Sequence, residues 1–238
     1  KLLNRALEIQ LKVAGPQHPA RKFIPQTLQS LGEVCFELGK LDEAASHYRH
    51  QAELVTELHG PDDDDVDDAL ILLAGVEKEL GNYSVEESLT VVCLAISEKN
   101  NRLDKKVARL GNLANIYESQ GRLDEAIDLY KSAARIADSV LGPHRWHAEI
   151  HRDLGYLYEK LGRYDDCVQA LEKCVEICMT GHNITHSNAA ATARTLARIY
   201  ARAGDLVRCR ETYEKYMLCY EQFIRNVFSY SPEERKLL

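Results

Sequence analysis

Five glycines, Gly39, Gly81, Gly121, Gly162 and Gly204, punctuate the 238-residue chain at intervals of 42, 40, 41 and 42 residues. A period of this length matches one helical hairpin, since two amphipathic helices of four or five turns and their connections use about forty residues. Before each glycine stands a leucine followed by a small residue: Leu31–Gly32, Leu73–Ala74, Leu113–Ala114, Leu154–Gly155 and Leu196–Ala197. One turn later Cys35, Tyr117, Tyr158 and Tyr200 continue the same face in four of the copies. After the glycine, Ala44/Tyr48, Ala126/Tyr130, Cys167/Leu171 and Cys209/Tyr213 supply the stripe of a second helix.

The copy Val107–Gly142 shows the pattern most fully. Leu110, Leu113, Ala114 and Tyr117 fall three and four apart and therefore share one helix face. Gly121 breaks that helix, and Asp124 is expected to cap the next. There Ala126 and Ala133 let the helices approach closely while Tyr117 and Tyr130 fill the space between. Gly142 is expected to close the hairpin as a left-handed cap, with Pro143 forbidding continuation. A single hairpin cannot bury both sides of its apolar stripe, so the fold class is all-α, a stack of such hairpins.

The segments LGEVCFELGKLDEAASHY, LANIYESQGRLDEAIDLYKSAA, LGYLYEKLGRYDDCVQAL and LARIYARAGDLVRCRETY resemble the tetratricopeptide repeat family. The 40–42-residue period and the linkers GPQHP and GPHRWH are similar to those of the kinesin-light-chain-like subclass. The resemblance implies a right-handed α-solenoid of about five hairpins, with the first helices lining a concave groove. It also implies a scaffold or adaptor that binds proteins and is not an enzyme. The second repeat departs from the pattern, with Glu86 where a small residue belongs and Thr90 where an aromatic is usual.

Residues 1–15 read as the second helix of a preceding repeat, Leu3 and Ala6 matching Tyr130 and Ala133, which would make the chain a fragment. Residues 16–230 form the array, with repeats at about 20–60, 62–100, 103–142, 144–181 and 186–229. The last helix carries apolar residues as far as Phe228 and is expected to run long over the end of the array. Ser231, Pro232 and Glu234 then have the form of a helix start, so residues 231–238 open a further element.

Charge divides unevenly. Residues 1–100 hold 9 Lys and Arg against 18 Asp and Glu, whereas residues 101–238 hold 21 against 19. A chain-wide basic footprint for nucleic acid is absent. No apolar run approaches the ~20 residues of a membrane span, and residues 1–15 read as a helix of the array rather than as a secretory leader, so a targeting segment would lie outside this sequence. Seven cysteines, without a CxxC pair, read as reduced thiols in a cytoplasmic compartment. Cys35, Cys167, Cys174 and Cys209 take stripe positions as small hydrophobes.

The groove positions include Gln26, Gln29, Ser30, Glu33 and Glu37 in the first repeat, and Asp68, Ile71 and Lys78 in the second. Asn112, Asn115 and Glu118 follow in the third, then Glu149, Arg152, Tyr156 and Lys160 in the fourth. In the fifth, Arg194, Arg198 and Arg202 recur every four residues as a ladder of rigid guanidinium forks suited to carboxylate or phosphate. Arg152 and Tyr156 stand on the neighbouring helix. Asn112 and Asn115 suit an extended peptide backbone, as the resemblance implies. The alternative for the arginines is pairing with Glu149, Asp153 or Glu159.

No cofactor and no metal site is expected. Asp62–Asp65, Asp67 and Asp68 lack the alternating ligands of a calcium loop and read as a solvated acidic loop at a helix start. Cys174, Cys178 and His182, and likewise His144, His147 and His151, lack a fourth zinc ligand nearby in sequence. No phosphate-binding glycine loop, nucleophile elbow or HExxH motif occurs. Three readings follow: an interaction module that grips a protein or peptide segment, acidic segments included; a sensor segment of a larger signalling enzyme, such as a CHAT-type protease or an NTPase; and phosphate or nucleic-acid binding through the arginines.

Overall fold

The computed structural model describes residues 2–13, 18–140, 142, 144–180, 186–214 and 217. The described residues form helices α1 Leu2–Val13, α2 Ile24–Glu37, α3 Leu41–His59, α4 Asp64–Glu79 and α5 Tyr83–Lys99. They continue with α6 Leu103–Ser119, α7 Leu123–Val140, α8 Arg145–Lys160, α9 Tyr164–Thr180 and α10 His186–Arg202. A 3-10 turn, Pro19–Phe23, precedes α2, and residues 206–214 are helical. No strand occurs among the described residues, in accord with the all-α class. The chain divides into two compact units, residues 1–116 and 117–238, each described by itself. The expected long terminal helix past Tyr213 and the start at Ser231 lie outside the described residues, apart from Tyr213, Glu214 and Met217.

All five punctuating glycines adopt the left-handed backbone, with φ between 70° and 80°. At Gly39 the turn is closed by Gly39 N–H donating to the Phe36 carbonyl and Lys40 N–H to the Cys35 carbonyl, which satisfies the last carbonyls of α2. Two capping expectations differ. Helix α7 begins at Leu123, so Asp124 lies inside its first turn beside Glu125, where the helix dipole favours negative charge. Gly142 is not among the left-handed glycines; its carbonyl turns instead toward the His147 ring, 3.2 Å away.

The pair of a leucine and a small residue sets how closely the helices of a hairpin cross. In residues 1–116, Tyr48 of α3 lies over Gly32 of α2, and a Cβ added there would meet the ring at 2.6 Å. The same cluster joins Cys35, Ala44 and Ala45 to Leu73 and Val76 of α4, so the seam passes from one hairpin into the next. Ile24 and Leu28 of α2 similarly join Leu54 of α3 and Leu7 of α1. In residues 117–238, Gly155 of α8 is covered by Leu171 of α9. Ala148, Cys174, Ile177, Cys178 and Ala189 then link α8, α9 and α10. Ala126, Tyr130 and Ala133 are wholly buried. The described cysteines are free; all are buried except the half-buried Cys209.

The second repeat replaces apolar packing by satisfied polar groups. Glu77 occupies the position of Cys35, Tyr158 and Tyr200, is 4% exposed, and accepts hydrogen bonds from Arg49 Nη2 at 2.9 Å and Asn82 Nδ2 at 2.7 Å. Thr90, also buried, donates to the Glu86 carbonyl at 2.8 Å. Burial raises the Glu86 carboxyl group.

The aspartate cluster is not a solvated loop. Each of several carboxylates meets a base from the following repeat, since the basic residues recur about one period later. Asp62 pairs with Lys99 and Asp64 with Arg102, while Asp68 accepts from Lys105 at 2.7 Å. Asp63 caps α4 by accepting from Asp65 N–H at 2.9 Å. Asp67 is fully buried and takes both fork hydrogen bonds of Arg109, each 2.9 Å, with Lys105 at 3.2 Å. Burial pushes the Asp67 carboxyl up, yet the hydrogen bonds and charge of Arg109 and Lys105 outweigh it and hold it below the usual range.

In residues 117–238 another device repeats. The Arg122 guanidinium stacks over the Tyr117 ring at 3.5 Å, Arg163 over Tyr158 at 4.6 Å and Arg208 over Tyr200 at 5.3 Å. These arginines also pair with Glu125, Asp166 and Asp205, clamping the interhelical turn.

Two predictions follow from this packing. Gly32→Ala is expected to destabilise by about 1–3 kcal/mol through overpacking against Tyr48. Gly75→Ala, in the exposed middle of α4 where an added Cβ meets nothing within 4 Å, should stabilise by about 0.5–1 kcal/mol. Urea denaturation midpoints of both variants check the pair of signs. Arg109→Met leaves the Asp67 carboxylate buried with only Lys105, and should cost about 3–5 kcal/mol at pH 7. Because the folded pKa of Asp67 is depressed, the ion-pair stabilisation is complete above the unfolded pKa of about 4 and is lost as pH falls through the folded value. Denaturation of both proteins between pH 7 and pH 3 should therefore show the gap narrowing below about pH 4.

Candidate interaction surface

The outward faces of the first helices, α8 and α10 in residues 117–238, carry the candidate groups. Arg194, Arg198 and Arg202 fall one turn apart on α10, so one face presents all three. Arg198 Nη2 meets Glu159 Oε1 of α8 at 2.6 Å, which places this face beside α8. Arg194 and Arg202 are exposed and have no hydrogen-bond or ion-pair partner among the described residues. On α8, Lys160 Nζ reaches Glu118 Oε1 at 3.3 Å, so one acid–base contact recurs on the preceding first helix.

Arg152 is half-buried, and Asp153, its neighbour in sequence, binds its Nε and Nη2, both at 2.8 Å. Burial raises the Asp153 carboxyl although Arg152 opposes the shift. The Arg152 guanidinium is thereby engaged within α8. Tyr156, one turn on, is half-buried.

Among the candidate positions in residues 1–116, the exposed Glu33, Glu37 and Asp68 stand against Lys78. Gln29 donates to Glu33 at 2.9 Å, and Asp68 is engaged by Lys105. Asn112 is half-buried with no hydrogen-bond partner among the described residues, and Asn115 is exposed. Ile71 is half-buried, and Lys78 is exposed.

Two groups of histidine and acidic side chains bring potential ligand atoms within 4.8 Å of one another: Asp138 with His147 and His151, and His59 with Asp63 and Asp65. In the second, Asp63 is already the cap of α4 and all three residues lie at the surface. In the first, Asp138 comes from α7 and both histidines from α8. The sequence spacing of His147 and His151 was visible, but Asp138 reaches them only through the packing of the two helices. His144 instead caps α8, its Nδ1 accepting from Trp146 N–H at 3.3 Å. No described helix is long and apolar enough to cross a membrane.

Comparison with known proteins places this geometry. The family model described as tetratricopeptide repeat matches residues 23–99, 107–179 and 147–222. Protein KINESIN LIGHT CHAIN-RELATED 3 of Arabidopsis thaliana is 22% identical over 236 residues, covering 98% of this chain and 35% of that protein. This chain thus spans about a third of the length of the curated relatives it matches. Among solved structures, BtubC (BKLC) from P. vanneervenii superposes with a TM-score of 0.77 at 20% identity, covering 97% of this chain and 91% of that one. A Rap protein complexed with Competence and Sporulation Factor superposes with a TM-score of 0.65 at 18% identity, covering 95% and 60%.

Proposed function

This chain belongs to the tetratricopeptide repeat family, and from that premise we propose that it is a protein-interaction module that takes an acidic, extended protein segment along the face of α8 and α10. The observation that carries the reading is the charge left over on α10. Glu159 neutralises Arg198, whereas the flanking Arg194 and Arg202 are exposed and unpaired among the described residues. Like charges one turn apart on a helix repel by a few tenths of a kcal/mol, so this stripe is not explained by helix stability. Each guanidinium offers a planar fork matched to a carboxylate, and it pairs with little loss of preorganisation.

Tyr156, one turn along α8 from Arg152, supplies half-buried, partly apolar surface on that helix. On the first-helix face within residues 1–116, Asn112 and Asn115 carry amides that both donate and accept, as the backbone of an extended segment requires. The role is binding rather than catalysis, and the described free thiols accord with a reducing, cytoplasmic setting. The Rap neighbour, solved as a complex with a factor, is consistent with a binding role for such a fold.

The test uses fluorescein-labelled extended peptides of twelve residues, one set rich in Asp and Glu and a matched set with Asn and Gln. The acidic set should bind saturably and more tightly. Arg194→Glu with Arg202→Glu should weaken that binding at least about tenfold, because charge-assisted hydrogen bonds contribute about 1.5–3 kcal/mol each. The melting temperature should move by no more than about 2 °C, since neither side chain has a partner to lose. Equal anisotropy curves for the two peptide sets, or an unchanged affinity in the double variant, would contradict the proposal. Preference for a single-stranded oligonucleotide over every acidic peptide would instead support phosphate recognition.

A further inference from the structure

We propose that Asp138, His147 and His151 form a binding site for a divalent transition-metal ion of the zinc class, which pins the second helix of one hairpin to the first helix of the next. The argument rests on which atoms can donate. His147 Nδ1 lies 3.2 Å from the Gly142 carbonyl oxygen, which can only accept, so this nitrogen carries the ring hydrogen. In the neutral ring Nε2 then presents a lone pair. What faces it, at 2.8 Å, is Asp138 Oδ1, another acceptor. His151 Nε2 points at the same oxygen from 3.3 Å. Two imidazole nitrogens and a carboxylate oxygen therefore converge within 4.8 Å of one another. One cation placed among them satisfies all three lone pairs.

His151 can donate to Asp138 in its neutral Nε2–H tautomer, so one proton on His147 would also relieve the conflict, but it would place a charged imidazolium on a ring that is 6% exposed and whose centroid lies 5.3 Å from that of His151. A single metal ion does the same with one centre. The surrounding pieces are those of a ligand shell. The histidines are four residues apart on α8 and so share one face. The Gly142 carbonyl holds the tautomer of His147 from the second sphere. Asp138 is 44% exposed, which leaves an entry path and room for water to complete the coordination. Two imidazoles with one carboxylate select zinc, cobalt or nickel over magnesium or calcium, which prefer oxygen alone. Lys173 of α9 also faces His151 and opposes a cation there, though its ammonium is engaged by Glu176 at 3.1 Å.

The untagged chain, stripped with a chelator, is titrated with ZnCl2 by calorimetry and with CoCl2 by absorption spectroscopy. One saturable equivalent is expected, with a rise of several degrees in melting temperature when zinc is in excess. The cobalt spectrum should show ligand-field bands and no sulfur charge-transfer band. His151→Gln and Asp138→Asn should each weaken zinc binding by more than about tenfold while the circular dichroism spectrum is kept. Asp138 is the more exposed residue, so its variant keeps the test valid should His151→Gln unfold. Absence of saturable one-to-one binding would overturn the proposal. So would unchanged affinity in Asp138→Asn, or a thiolate band placing the metal on cysteine.

Discussion

The structure depends on how near two helices come at the small residue that follows the periodic leucine. Gly32 brings α2 under the Tyr48 ring, and Gly155 brings α8 under Leu171. That close crossing lets one side chain contribute to two seams, the one inside its hairpin and the one shared with the next. The cluster that begins at Cys35 and Tyr48 ends at Leu73 and Val76, in a different repeat. Stability is thus distributed between neighbours, as expected where each repeat touches only the ones beside it. Because the seams occupy the inward stripe of every helix, the outward face of the first helices is left for other work.

The buried carboxylates of this seam in residues 1–116 are met by basic or amide partners. The Asp67 carboxylate receives two bonds from Arg109 and an ion pair from Lys105, and Glu77 receives bonds from Arg49 and Asn82. Such pairs cost desolvation, so they act more through geometry than through net stability. Sliding α6 by one turn past α4 would leave a carboxylate and a guanidinium buried apart, whereas an apolar seam would tolerate the slip. The stacked arginines at Tyr117, Tyr158 and Tyr200 act differently, tying each interhelical turn to the last turn of the helix before it.

The helices and their turns were legible in the chain because their causes are local. A glycine needed for a left-handed turn and a leucine beside a small residue are visible without knowing the fold, and all five glycines adopt that backbone. Asp67 was not legible. It sits among five other aspartates, and what distinguishes it is Arg109, 42 residues away and two helices on. The same distance effect hid Asp138, which belongs to a different helix from the histidines it faces. For the arginine ladder, spacing showed that Arg194, Arg198 and Arg202 share a face, but not that Glu159 would neutralise the middle one alone. Side-chain competition across helices decides such points, and a linear pattern carries no record of it.

In the proposed binding role, Arg194 and Arg202, exposed and two helical turns apart on either side of Arg198, would meet a partner segment with repeating acidic groups. The scaffold behind them would then have to hold its spacing, which ties that role to the shared seam. The direct measurement is the circular dichroism of residues 144–180, the hairpin of α8 and α9, made as an isolated peptide beside the whole chain. If neighbours supply the stability, the peptide has little helix and no cooperative melt while the whole chain melts cooperatively. A peptide that is fully helical and melts cooperatively on its own would contradict the account.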